Sequence, residues 1–178
     1  MQILLPRPGR IDSEWFRFLR DVAEALGFTR RITYVDAYFS VNESLAAAGT
    51  TTFVVDWKLP GNYKDGTPIS FWVDWYTTAG AAGAVVFDYE VLKGDYETAL
   101  ASAASGSETT ENGTTASLPI RTSFDDIDGD GLAKGDILRF SISRDGDDAD
   151  DDQANAAVAL GMGVKYVGEG IGWDNPDP

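Results

Sequence analysis

Apolar residues recur along this chain with two different periods, and the change falls near Gly27. Before it, Trp15, Phe18, Leu19, Val22 and Leu26 are spaced by three and four, which is one stripe of a helix, widened by Phe16 and Ala23. Asp12 suits the N-cap, Glu14 lies in the first turn where the helix dipole favours an anion, and Gly27 can close the helix in the left-handed conformation. Ile11 and Phe16 occupy the two positions of a hydrophobic staple. A helix this short is marginal alone in water, so its stripe needs a surface to pack on, either its own domain or a neighbouring subunit.

After Gly27 the period becomes two. Val35, Ala37, Phe39 and Val41 share one face of the first run, and Phe53, Val55, Trp57 and Leu59 one face of the next. Ile69, Phe71, Val73 and Trp75 alternate with Ser70, Trp72, Asp74 and Tyr76; Val85, Phe87, Tyr89 and Val91 alternate with Asp88 and Glu90. Leu138, Phe140 and Ile142 form a sixth run, and Val158, Leu160, Met162, Val164 and Tyr166 a last one set among small residues and Lys165. A weaker fifth run over 115–123 is interrupted by Pro119, which predicts an edge strand because proline removes a ladder donor. Seven half-buried strands separated by Gly-, Asn- and Asp-rich loops predict an all-β, antiparallel β-sandwich, read as a jelly roll. The domain reading is a helical arm over 1–31, a sandwich over 32–168 and an extended tail over 169–178 carrying an isolated Trp173. Residues 101–117, small and polar throughout, read as a long surface loop.

Composition narrows the chemistry. With no histidine and no cysteine, the chain cannot build Ser-His-Asp or Cys-His catalysis, disulfides, or most zinc and iron sites. Its 29 acidic against 14 basic residues give a net charge of -15, which disfavours nucleic acid as a partner. The charge is unevenly spread: residues 1–31 hold six arginines against four acids, so the excess of acid lies beyond them. A basic arm of this kind can dock on an acidic surface, or its arginines can simply solvate one helix face. The apolar run Ile3–Leu5 stops at Pro6, too short for a signal peptide, and no segment approaches the roughly 20 apolar residues of a membrane span. Synthesis in a cytoplasm with no membrane partner is the expectation.

Three groups could carry a site. Asp126, Asp128 and Asp130, followed by Gly131, begin like a calcium loop, in which alternate carboxylates converge on the ion. Position 12 of that loop is Ile137 where a bidentate Glu is expected, so an acidic turn is the competing reading. The tract Asp145–Asp152 reads as a solvated loop, with Arg144 in an exposed pair to one of its carboxylates. Asp74, Asp88 and Glu90 could supply a glycosidase pair, but all fall on outward strand positions where charge is expected anyway, so no enzymatic activity is predicted. Trp72 and Tyr76 flank Asp74 on that outward face, where flat rings can stack on a sugar or be buried between subunits.

Several phrases resemble jelly-roll structural proteins of tailed bacteriophages, found as capsid decoration, head-fibre and tail-fibre proteins. They are Asp56-Trp-Lys-Leu-Pro-Gly-Asn-Tyr63, Phe71-Trp-Val-Asp-Trp-Tyr-Thr-Thr-Ala-Gly80, Ala84-Val-Val-Phe87, Lys134-Gly-Asp-Ile-Leu-Arg-Phe-Ser-Ile-Ser-Arg-Asp145 and Leu160-Gly-Met-Gly-Val-Lys-Tyr166. The likeness covers about residues 32–167, and the arm is similar to short helical anchors of such domains. The resemblance implies a non-enzymatic virion component, assembled in the host cytoplasm, that is a homo-oligomer, commonly a trimer, and needs no cofactor. On that reading Arg7, Arg10, Trp15, Phe16, Arg17, Leu19 and Arg20 dock a capsid decoration (cement) or head-fibre subunit on the major capsid protein or another virion protein. The alternative is a tail-associated module that recognises host surface polysaccharide. Its contacts would be Trp72 and Tyr76, with Trp173 as a further sugar or subunit contact and calcium at Asp126, Asp128 and Asp130. The Asp tract after Arg144-Asp145 is longer than such proteins carry.

Overall fold

A computed structural model of the chain describes the backbone of residues 28–95 and 98–173, and the side chains of 34–95 and 98–169. The predicted helix, and with it Arg7, Arg10, Trp15, Phe16, Arg17, Leu19 and Arg20, lies outside the described residues, as does the side chain of Trp173. Among the described residues all regular structure is strand: β1 (Phe28–Leu45), β2 (Thr50–Lys58), β3 (Ser70–Thr77), β4 (Gly83–Gly94), β5 (Ala101–Asn112), β6 (Ile120–Ser123), β7 (Ile137–Asp145) and β8 (Ala157–Trp173). Residues 34–168 form one compact unit, which is the sandwich described below. β1 begins at Phe28 and β8 continues to Trp173, so the terminal strands extend past the limits of this unit.

The strands form two four-stranded sheets in the orders β1-β8-β3-β6 and β2-β7-β4-β5. That order, in which every connection except β4 to β5 crosses from one sheet to the other, is the arrangement of an eight-stranded jelly roll. The inward positions are the ones the alternation marks. Phe71 and Trp75 from β3, Phe87 and Tyr89 from β4, Phe140 from β7 and Val164 from β8 are buried between the sheets. Phe71 is the hub: its ring centroid lies 4.9 Å from Phe124, 5.3 Å from Tyr89 and 5.3 Å from Phe140. Burying each such ring contributes on the order of 1.5–3 kcal/mol, and interlocking them fixes which sheet faces which.

Two elements differ from expectation. Residues 101–112 form strand β5 rather than a loop, paired with β4 from Gly83↔Asn112 to Lys93↔Ala101. Its own sequence, Ala-Ser-Ala-Ala-Ser-Gly-Ser-Glu-Thr-Thr-Glu-Asn, has little strand preference, so the pairing comes from β4 and from Ala103 and Ala104 packing on the core. Gly106 lets β5 pass the Tyr89 ring, since a Cβ there would lie 2.7 Å from the phenol oxygen. β6, by contrast, is the short edge strand expected, starting directly after Pro119.

The second difference is the acidic tract, which is not a solvated loop throughout. Arg144 is fully buried, and its guanidinium donates from Nε and Nη2 to the two carboxylate oxygens of Asp151 at 2.8 and 2.6 Å. It donates further to the carbonyls of Gln153 and Asn155. The reason lies in the ladder. β7 stops at Asp145, opposite the beginning of β4, leaving the Ala84 and Val86 N–H groups without a strand partner on that side. Asp152 accepts from Ala84 N–H at 2.6 Å and Asp151 from Val86 N–H at 3.1 Å, so two carboxylates stand in for the missing strand. An unpaired buried N–H costs free energy comparable to a lost hydrogen bond, and Arg144 neutralises the charge that satisfies it.

Candidate functional site

The outward face of the β1-β8-β3-β6 sheet carries Tyr34 and Tyr38, the exposed large aromatic side chains of the described residues, beside charged ones. Outward positions on β3 are Ser70, Trp72, Asp74 and Tyr76, because Phe71, Val73, Trp75 and Thr77 point into the core. Directly opposite them on β8 stand Lys165, Gly163, Gly161 and Val158, after a bulge at Leu160. β6 contributes Arg121 opposite Asp74 and Ser123 opposite Trp72. On β1, Val35, Ala37, Phe39 and Val41 pack towards the core, which turns Tyr34, Asp36 and Tyr38 outward.

The two glycines on β8 set the relief of this face. A Cβ at Gly163 would run into the indole of Trp72, and one at Gly161 would lie 2.7 Å from both Cε1 and Cζ of Tyr38. Rings from the strands on either side therefore lie across the middle strand, in space that any other residue would fill. Trp72 reaches in from β3 and Tyr38 from β1.

Asp74 and Arg121 tie the layer together. Arg121 donates from Nε to Oδ1 and from Nη2 to Oδ2 of Asp74 at 2.7 and 3.0 Å, a bidentate fork. Its guanidinium carbon sits 4.4 Å from the centroid of the Trp72 ring, a cation–π stack. The hydrogen bond to Asp74 raises the already high pKa of Arg121, so the charge is fixed. Burial, the negative charge of Asp74 and a hydrogen bond to that carboxylate all push the Tyr38 phenol above its ordinary range. Lys165 Nζ lies 4.8 Å from the centroid of Tyr34, the most exposed large apolar side chain of the described residues at 73%.

This geometry changes the part Trp72 can play. It holds the outward position expected of it, but one side lies on the Gly163 backbone and the guanidinium of Arg121 sits over the ring. Its Nε1–H is buried without a hydrogen-bond partner. A sugar could stack on Trp72 only by displacing Arg121. Tyr76 is half-buried on the same face opposite Val158. The ring that is both seated on the sheet and open is Tyr38, 51% exposed. Sequence reasoning passed over Tyr34, Tyr38 and Arg121. The available signal was Gly161 and Gly163 on one face of a strand, which announces a neighbour lying across it.

The calcium candidates are not brought together. Ile127, between Asp126 and Asp128, is buried and exchanges both backbone hydrogen bonds with Ile69, at 2.9 and 3.1 Å. Asp128 Oδ1 accepts from the Asp130 N–H at 3.0 Å, and the Asp130 carbonyl accepts from Lys93 Nζ at 2.9 Å. Gly131, with φ of 73°, then turns the chain. Among the described residues no group of three or more carboxylates is placed to hold a metal ion. Asp128 and Asp130 thus take part in the turn's own hydrogen bonds. No helix of the described residues is long and apolar enough to cross a membrane.

No family model and no curated protein matches the chain. Similar solved structures include dimeric latent PorU from Porphyromonas gingivalis, 13% identical, with 85% of this chain and 15% of that one covered at a TM-score of 0.42. The infectious bursal disease virus Gx strain is 14% identical over 77% of this chain and 32% of that one, TM-score 0.40. The carbohydrate-binding module TmCBM61, in complex with β-1,4-galactotriose, is 12% identical over 83% and 93%, TM-score 0.30. The chain spans about a seventh to a third of the length of the first two.

Proposed function

We propose that the protein is a non-enzymatic structural subunit of a bacteriophage virion, a capsid decoration or head-fibre protein. The observation that carries this reading is the jelly-roll order of the two sheets, taken with a sequence that gathers basic residues ahead of the first strand. The arm leads straight into β1, and β1 is the immediate neighbour of β8, the last strand, in one sheet. The first and last strands thus share one sheet. The arm's arginines attach it by charge complementarity and the helix stripe by packing, while the acidic sandwich keeps decorated particles apart.

Copy number per purified virion, from quantitative mass spectrometry against the major capsid protein, tests the assignment. A ratio near one, or a simple fraction of it, is expected. A handful of copies per particle would move the protein to the tail or a unique vertex. Reversing Arg7, Arg10, Arg17 and Arg20 to Glu in the full chain is expected to abolish co-sedimentation with particles lacking the protein. Retained binding would overturn the arm as the anchor. Any truncation should stop at Gly27, because Arg30 and Arg31 already belong to β1.

A further inference from the structure

We propose that the Tyr38 ring and the adjoining Asp74–Arg121 pair form a binding site for a neutral saccharide. The site does not depend on whether the protein sits on the head or the tail. Tyr38 rests across Gly161 with half of its surface open, so it presents a seated, low-entropy platform. The face of an aromatic ring is electron-rich and attracts the weakly positive C–H face of a pyranose.

The polar groups beside the ring have unused capacity of both kinds. A guanidinium carries five N–H donors, and Arg121 commits only Nε and Nη2 to Asp74. The Asp74 carboxylate, which also accepts from the Tyr38 phenol, keeps a lone-pair position beyond these three bonds. A sugar hydroxyl is donor and acceptor at once, so adjacent hydroxyls can accept from Arg121 and donate to Asp74 without breaking the fork between them. Arg121 is 53% exposed, within reach of such a ligand.

Charge selects the class of ligand. Among the described outward residues of β1, β3 and β6, and of β8 up to Lys165, Asp36 and Asp74 stand beside Arg121 and Lys165, while the chain as a whole carries -15. A polyanionic glycan or a nucleic acid meets net repulsion, and on this face Arg121 is already forked to Asp74. A second copy of the chain brings the same net charge against its own. A neutral sugar pays neither penalty, and its hydroxyls match what the fork leaves over.

The test uses the full chain on immobilised neutral and acidic oligosaccharides, followed by isothermal titration with the neutral sugar that binds best. Tyr38→Ala and Arg121→Ala, each checked for native far-UV circular dichroism, are expected to weaken binding at least tenfold. Arg139→Ala, which breaks an equivalent fork on the other sheet, should leave it unchanged. The proposal is overturned by a panel on which no neutral sugar binds, or by neutral-sugar binding that survives Tyr38→Ala. An oligomer that Tyr38→Ala dissociates, with no sugar bound, would instead assign this face to self-association.

Discussion

Asp74 and Arg121 on one outward face, and Asp56 and Arg139 on the other, are built alike. Each pair stands directly opposite across an antiparallel ladder, and each arginine forks both carboxylate oxygens, at 2.7 and 3.0 Å in one case and 2.7 and 2.9 Å in the other. Their surroundings differ. Asp56 is 51% exposed, beside outward Val54 and Ser141, and the hydrogen bond from Arg139 holds its carboxyl below the usual range. Asp74 is only 17% exposed, hemmed in by Tyr38, Trp72 and the stacked guanidinium. A cross-strand ion pair on a sandwich is thus a generic stitch on one face and part of an ordered layer on the other. What converts it is the pair of glycines beside it, because only they let the rings lie down.

The buried Arg144–Asp151 pair is the limiting member of this series, and breaking it should have the largest effect. Asp151→Ala leaves a guanidinium uncompensated in the interior and frees the Val86 N–H, so a loss of about 3–5 kcal/mol is expected in chemical denaturation. A loss no larger than that from the surface pairs would show that the interior there is wet.

Next in size is Gly163→Val, which evicts the Trp72 ring. About 1–3 kcal/mol of destabilisation is expected, with a red shift of tryptophan emission as the indole moves into water. The same side chain placed on the other face, Ser141→Val, should do neither. Equal effects at both positions would erase the distinction between the faces.

Arg121→Ala should cost about 1 kcal/mol, allowing for solvent screening of a half-exposed guanidinium, and should make Trp72 more accessible to acrylamide quenching. Arg139→Ala should lower the denaturation midpoint by less than that, because both partners of its pair are about half exposed and screened by solvent.

The smallest effects are in titrations. The Tyr38 phenol should ionise above its ordinary value of 10.0, chiefly through burial, and Asp74→Asn should remove the part of the rise that the carboxylate adds. Because the unfolded chain loses that proton first, the neutral phenol's contribution to stability is full below the ordinary value and declines as pH rises past it. For Asp56 the sign reverses. Its contribution is present above the ordinary carboxylate value of 3.8 and is lost as pH falls through the lowered one. Nuclear magnetic resonance titration of Asp56 in Arg139→Ala should return it to the ordinary range.

How much of this was legible beforehand depends on the range of the interaction involved. The inward set Phe71, Val73 and Trp75 could be read directly, since each strand's alternation is a local consequence of one wet and one dry face. So could the outward placement of Trp72, Asp74 and Tyr76. β5 could not, because a strand of Ala, Ser and Thr owes its pairing to β4 and not to its own preferences. Arg144 could not either: its partner lies in a tract that looks like solvated acid until the end of β7 exposes two N–H groups for it to satisfy.

The chain by itself therefore determined the strands with strong alternation, the identity of the core, the absence of histidine and cysteine chemistry, and the contrast between a basic start and an acidic remainder. Those follow from composition and from near-neighbour geometry. Only the tertiary structure decided that Tyr38, 36 positions before Asp74 and far from Gly161, shares a layer with both, and that Trp72 lies under a guanidinium instead of facing solvent. Register across β1, β8, β3 and β6 makes those neighbours. Register is set by how two whole sheets pack their inner faces, a property that no single stretch of sequence contains.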